Sequence, residues 1–240
     1  MMAVMAFVDL GRLRVSPLNR DPFEYVVVEN FLDRESVPAL LNAFPAVPGH
    51  GSYPLSTLIC PPAFSRLTAE LEGEPMRTAI EEKFGLDLAD RPTMITLRGF
   101  SDGKDGAIHT DSATKLVTVL IYMNEEWTES AGRLRILRGP DNLDDYAEEI
   151  LPLAGTMLAF RRSAASFHGH RAHVGRRRSI QLNWVTDAGV VRRELGRHAW
   201  SARLKALNPF ARQWSRLANR IVTGNLTASN PNSMSGFGDR

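Results

Sequence analysis

The spacing of apolar residues along the chain changes character twice. "PFEYVVVENFL" (Pro22 to Leu32) is β-branched and aromatic, which predicts a strand. Asp33 follows as a helix cap, with Ser36 to Phe44 as the helix body. Pro45, Pro48, Gly49 and Gly51 then break the chain into a loop. Two helical segments come next, Ala63 to Leu71 and Glu74 to Phe84, and Gly85 ends the second as a C-cap. From Arg91 the pattern turns to short apolar runs: "TMITLRGF", "KLVTVLIYMN", "GRLRILRG", "EILPL", "GTMLAF", "FHGHRAHV" and "RRSIQLNWV". Strands this short and closely spaced predict a sandwich or closed barrel of the jelly-roll kind. Helices first and strands later predict helices packed on one sheet face. The expected fold class is mainly β with flanking helices.

After Asp187 the pattern is helical again but basic. Trp200, Leu204 and Leu207 fall at helical spacing among Arg192, Arg193, Arg197, Arg203 and Lys205, and Pro209 divides the stretch. The tail "TGNLTASNPNSMSGFGDR" is small and polar and reads as disordered. The expected organisation is a domain over residues 1–188, a basic helical appendage over 189–222 and a tail over 223–240. The appendage packs on the barrel or a second subunit, or else touches a membrane surface weakly; packing is the simpler expectation.

Composition narrows the function classes. At 43% hydrophobic residues, the chain has material for a sizeable core. A net charge of only +2 argues against a general nucleic-acid binder. The single cysteine, Cys60, makes no internal disulfide. The apolar start lacks a basic leader region and a small-residue cleavage site, and no run has the length of a membrane span, so a cytoplasmic location is expected.

Candidate chemistry begins at "IHTDS". On an extended segment His109 and Asp111 point to the same side, so an imidazole nitrogen and a carboxylate oxygen can meet on one cation. Alone, a His-x-Asp triplet is equally well a surface turn. A third ligand completes a two-His, one-carboxylate set that leaves coordination positions open on Fe(II). His168, His170 and His173 are the candidates, with arginines close downstream in "GRRRS" able to fork onto an acid.

From about Thr93 to Val185 the sequence resembles the Fe(II)/2-oxoglutarate-dependent dioxygenases, in their prolyl-4-hydroxylase-like branch. The resemblance is carried by "IHTDS", "VTVLIYMNEEW", "GRLRIL", "GTMLAFRRSAASFHGH" and "GRRRSIQLNW". Ala131 stands where the family usually has a glycine. The resemblance implies a double-stranded β-helix, with His109, Asp111 and His168 as iron ligands. It implies that Arg177, Ser179 and Tyr122 hold the far carboxylate of 2-oxoglutarate, with Arg178 as the rival of Arg177. Strand parity favours Arg177, which shares a polar face with Ser179, Gln181 and Asn183, while Arg178 shares the apolar face with Ile180, Leu182 and Trp184. For Tyr122 a buried strand aromatic is an equal alternative. His170 is expected beside the pocket or facing solvent, and His173 at the surface.

The implied function is a dioxygenase that takes Fe(II), 2-oxoglutarate and O2 and hydroxylates a C–H bond of an unidentified small molecule, saccharide or protein side chain. The products are succinate and CO2. The alternatives are a non-catalytic jelly-roll metal-binding or interaction protein, and a zinc hydrolase using the same three ligands.

Overall fold

The computed structural model describes residues 6–194 and 196. Along the chain lie α1 (Leu10–Val15), β1 (Tyr25–Val28), α2 (Val37–Asn42), β2 (Tyr53–Pro54), a 3-10 turn (Leu55–Thr57), α3 (Pro62–Glu72) and α4 (Glu74–Phe84). The strands β3 (Thr93–Ser101), β4 (Lys115–Tyr122), β5 (Leu134–Leu137), β6 (Tyr146–Ile150), β7 (Met157–Arg161), β8 (His168–Gly169) and β9 (Gly175–Val185) follow. They form a six-stranded sheet in the order β1-β7-β4-β9-β3-β2 and a three-stranded sheet in the order β6-β5-β8. Each pairing of named strands is antiparallel. This is the expected mainly β jelly roll.

Alternation along the central strands gives the large sheet two buried faces. One carries Leu97, Val119, Ile121, Ile180, Leu182 and Trp184, which share an apolar cluster with Phe64, Leu67 and Leu71 of α3 and Met76 and Ile80 of α4. Each large apolar side chain taken out of water there contributes roughly 1.5–3 kcal/mol. The other face carries Tyr25, Tyr122, Leu158 and Phe160, which pack against Leu134, Ile136 and Ile150 of the small sheet. The polar members of that second face, Thr118, Ser179 and Asn183, are buried between the sheets. They sit in two cross-strand pairs on that face, Thr118 opposite Asn183 and Ser179 opposite Tyr122.

Several local features differ from the sequence expectation. Helix α1 was not foreseen; Asp9 caps it by accepting from the Arg12 N–H at 2.8 Å. Asp33 instead closes the turn ahead of α2, accepting from the Ser36 N–H and hydroxyl, and Ser36 takes the N-cap. β6 starts earlier than "EILPL" and stops before Pro152, which has no N–H for a ladder. β8 is only two residues long, because after Gly169 the His170 N–H turns away to the Gly106 carbonyl. Gly85 is the left-handed C-cap of α4, at φ 61°. Residues 188–194 are helical with Val190 buried. Most of the expected basic appendage and all of the tail lie outside the described residues. Among the described residues no helix is long and apolar enough to cross a membrane.

Candidate metal and 2-oxoglutarate site

His109 and Asp111 sit on the segment entering β4, and His168 begins β8. A two-residue antiparallel bridge ties the two histidines together, with each N–H donating to the other's carbonyl at 3.0 Å. This bridge brings a loop of one sheet onto a strand of the other. One ligand atom from each of His109, Asp111 and His168 falls within 4.8 Å of the others.

The second partners of the rings fix their chemistry. Nδ1 of His109 lies 2.9 Å from the Ala107 carbonyl, and Nδ1 of His168 lies 3.0 Å from the Ser166 carbonyl. A carbonyl only accepts, so in both neutral rings Nδ1 carries the proton and Nε2 presents a lone pair. Second partners of this kind orient histidines toward a metal. His168 packs against the Phe160 ring at 4.9 Å. Burial lowers its pKa to about 4, so it stays neutral and able to donate its lone pair well into the acid range.

Asp111 is 8% exposed. Burial alone raises a carboxyl pKa. Here the Lys115 ammonium, His168 and the hydrogen bonds from Lys115 and Thr118 outweigh it and hold Asp111 below the usual carboxylate range. Lys115 Nζ stands 2.8 Å from Oδ1. Two neutral imidazoles and one ionised carboxylate are a donor set that fits a divalent iron, and the residues present therefore suit the group.

The same pocket is lined by Arg98, Leu120, Leu134, His170, Arg177, Ser179 and Gln181. Arg177 is 5% exposed, and its Nε donates to the Gly132 carbonyl at 2.8 Å. Among the described residues no carboxylate forms an ion pair with it; the nearby Asp105 is taken by Arg98. A buried guanidinium without an anion is costly unless one arrives with a ligand. Next to it the Tyr122 hydroxyl is buried with no hydrogen-bond partner among the described residues, although its ring lies 5.5 Å from the guanidinium carbon. A cation, an unsatisfied hydroxyl and the Ser179 hydroxyl together form a cradle for a carboxylate.

Gly132 is part of this cradle. It has φ 76°, and a Cβ there would meet Trp127 at 2.6 Å. Glycine lets the chain turn so that its carbonyl aims at Arg177. Arg178 points the other way. Its guanidinium sits 5.0 Å over the Phe44 ring and donates to the Leu41 carbonyl at 3.3 Å, on the helix side of the sheet.

Residues of the other two candidate histidines are more enclosed than expected. His170 is 6% exposed and lines the pocket, with burial first and Arg177 second lowering its pKa to about 4. His173 is half-buried and packs on Trp127 at 4.7 Å. Lys115, Thr118 and Arg98 were not singled out beforehand, and Asn183 was read only as part of the polar face it shares with Arg177. Thr118 left a trace, as a polar residue within an otherwise apolar run of β4.

Residues 96–186 match the family model of the 2OG-Fe(II) oxygenase superfamily. The fold is similar to a prolyl-4-hydroxylase from Pseudomonas putida, at 18% identity and TM-score 0.50 over 77% of this chain and 99% of that one. It is also similar to a prolyl 4-hydroxylase from Phytophthora capsici, at 16% identity and TM-score 0.52 over 77% of this chain and 67% of that one. No curated protein sequence matches the chain.

Proposed function

We propose, from the premise that residues 96–186 are a domain of the 2OG-Fe(II) oxygenase superfamily, that this dioxygenase hydroxylates a C–H bond of its substrate and releases succinate and CO2. The cofactor and cosubstrate of the superfamily are Fe(II) and 2-oxoglutarate. The observation that carries the reading is the meeting of His109, Asp111 and His168 in one pocket with the buried Arg177, which has no carboxylate partner among the described residues.

His109 and His168 would hold the metal through Nε2, and Asp111 through a carboxylate oxygen. Fe(II) there supplies the dioxygen chemistry that couples oxidative decarboxylation of 2-oxoglutarate to oxidation of the substrate. Arg177 and Ser179, with the Tyr122 hydroxyl, bind the far carboxylate of 2-oxoglutarate. Leu120 and Leu134 offer an apolar wall for its methylenes, and Phe160 keeps water from the inner side of His168. Anchoring the cosubstrate at its far end leaves its other end directed at the metal ligands.

The substrate is a small molecule, a saccharide or a protein side chain. A prolyl side chain is the first to test, because the Pseudomonas putida and Phytophthora capsici structures of similar fold are prolyl hydroxylases. Anaerobic addition of Fe(II) and 2-oxoglutarate is expected to give a visible charge-transfer band. Exposure to O2 is then expected to give slow, uncoupled succinate formation that Zn(II) does not support. Absence of both the band and succinate would leave a non-catalytic metal-binding protein.

A further inference from the structure

The two oxygens of Asp111 are held by different kinds of partner. Lys115 Nζ donates to Oδ1, and the Thr118 hydroxyl donates to Oδ2. Behind Thr118, Asn183 Nδ2 donates to the same hydroxyl at 2.8 Å, and Gln181 Nε2 donates to Asn183 Oδ1 at 3.2 Å. The far end dictates the direction of this chain. An ionised carboxylate only accepts, so the one Thr118 proton must go to Asp111. The Thr118 oxygen then has only lone pairs left, and Asn183 must turn its NH2 toward it and its carbonyl toward Gln181. Thr118 is 1% exposed and Asn183 0%, so neither group has water as an alternative partner.

We propose that Thr118, aimed by Asn183, and Lys115 are positioning residues that act on Asp111 with opposite effects on metal affinity, Thr118 raising it and Lys115 lowering it. The inference rests on the reading of His109, Asp111 and His168 as the metal centre. A hydroxyl bond to Oδ2 fixes the rotation of the carboxylate before the metal arrives and brings no charge of its own. An ammonium on Oδ1 is a full positive charge on the same group. A divalent cation must share the carboxylate with it or displace it, in a buried setting where like charges repel strongly. Pocket-lining Gln181 begins the chain, so the orientation of Asp111 is tied to the wall of the pocket.

The test is titration of the metal-free full chain with Co(II), following the visible absorption of the bound ion. Native protein is expected to bind one Co(II). Thr118→Val should weaken binding by about 10- to 100-fold, the usual effect of losing an orienting partner. Thr118→Ser keeps the hydroxyl and should stay within about threefold of native, while Lys115→Met should bind at least about threefold more tightly. Native-like affinity of Thr118→Val, equal weakening by Thr118→Ser, or weaker binding by Lys115→Met would each overturn the inference and leave the metal centre standing. Failure of the native chain to bind Co(II) would overturn both. Lys115 keeps part of its side chain exposed, so its variant reads out even if a Thr118 variant folds poorly.

Discussion

Arg177 and Arg178 are adjacent and chemically identical, and the sheet sends them to opposite faces. Arg177→Gln is expected to raise the 2-oxoglutarate dissociation constant at least about 30-fold, equivalent to roughly 2 kcal/mol for losing a buried charged partner. Arg178→Ala should leave that constant unchanged and cost about 1 kcal/mol of stability through the lost stack on Phe44. Titration of the charge-transfer band separates the two, and a larger effect from Arg178→Ala would contradict the assignment. The buried histidines set a pH dependence at this same scale. His168 and His170 titrate near 4 in the folded chain, against about 6.5 for an ordinary histidine. As pH falls below 6.5 the unfolded chain takes up protons that the folded chain refuses, so stability is lost between about pH 6.5 and 4. The loss reaches at most about 3 kcal/mol for each ring. Below that window the depressed Asp105 and Asp111 carboxyls continue the loss. Urea unfolding of metal-free protein at pH 7, 5.5 and 4 measures this, and His170→Gln should flatten the dependence by about half.

Strand β9 joins the core to the chemistry. Its Ile180, Leu182 and Trp184 lie in the helix-side cluster, while Arg177, Ser179 and Asn183 lie between the sheets. A one-residue slip would exchange the two sets, so the apolar residues lock the register that aims Arg177. Leu182→Ala should therefore cost 2–5 kcal/mol, as buried leucine truncations do, with little change in 2-oxoglutarate affinity of the folded fraction. Ser179→Ala should do the reverse, with a roughly tenfold loss of affinity for one bond to a charged group and little loss of stability. Denaturant melts and cosubstrate titrations of both variants check the split. Period-2 alternation made β9 and β4 legible in the sequence, and helical spacing with Gly85 did the same for α3 and α4. β8 was overdrawn because "FHGHRAHV" has strand-like residues, yet its backbone partners after Gly169 are loop groups that no local pattern reveals.

The site is assembled across the whole molecule. It draws on the segment before β4, on β4 itself, on β8 of the other sheet and on β9, and none of these stretches holds a metal alone. Binding is thus coupled to folding of both sheets. Co(II) at 100 times its dissociation constant should stabilise the chain by about 2.7 kcal/mol, seen as a rise in the thermal midpoint that EDTA reverses. Every residue assigned to the site precedes residue 186, so a chain ending at residue 196 should bind Co(II) and 2-oxoglutarate as the full chain does. The sequence by itself determined the donor set and the parity, because residue type and strand alternation are local properties. It singled out His109, Asp111, His168 and Arg177, which the fold brings to one pocket. Tertiary structure decided how those candidates are completed: the His109–His168 bridge, the Gly132 carbonyl on Arg177, the enclosure of His170, and the Lys115 and Thr118 contacts on Asp111. These depend on which strands become neighbours across two sheets, and a pairing between distant segments leaves no periodic trace in either of them.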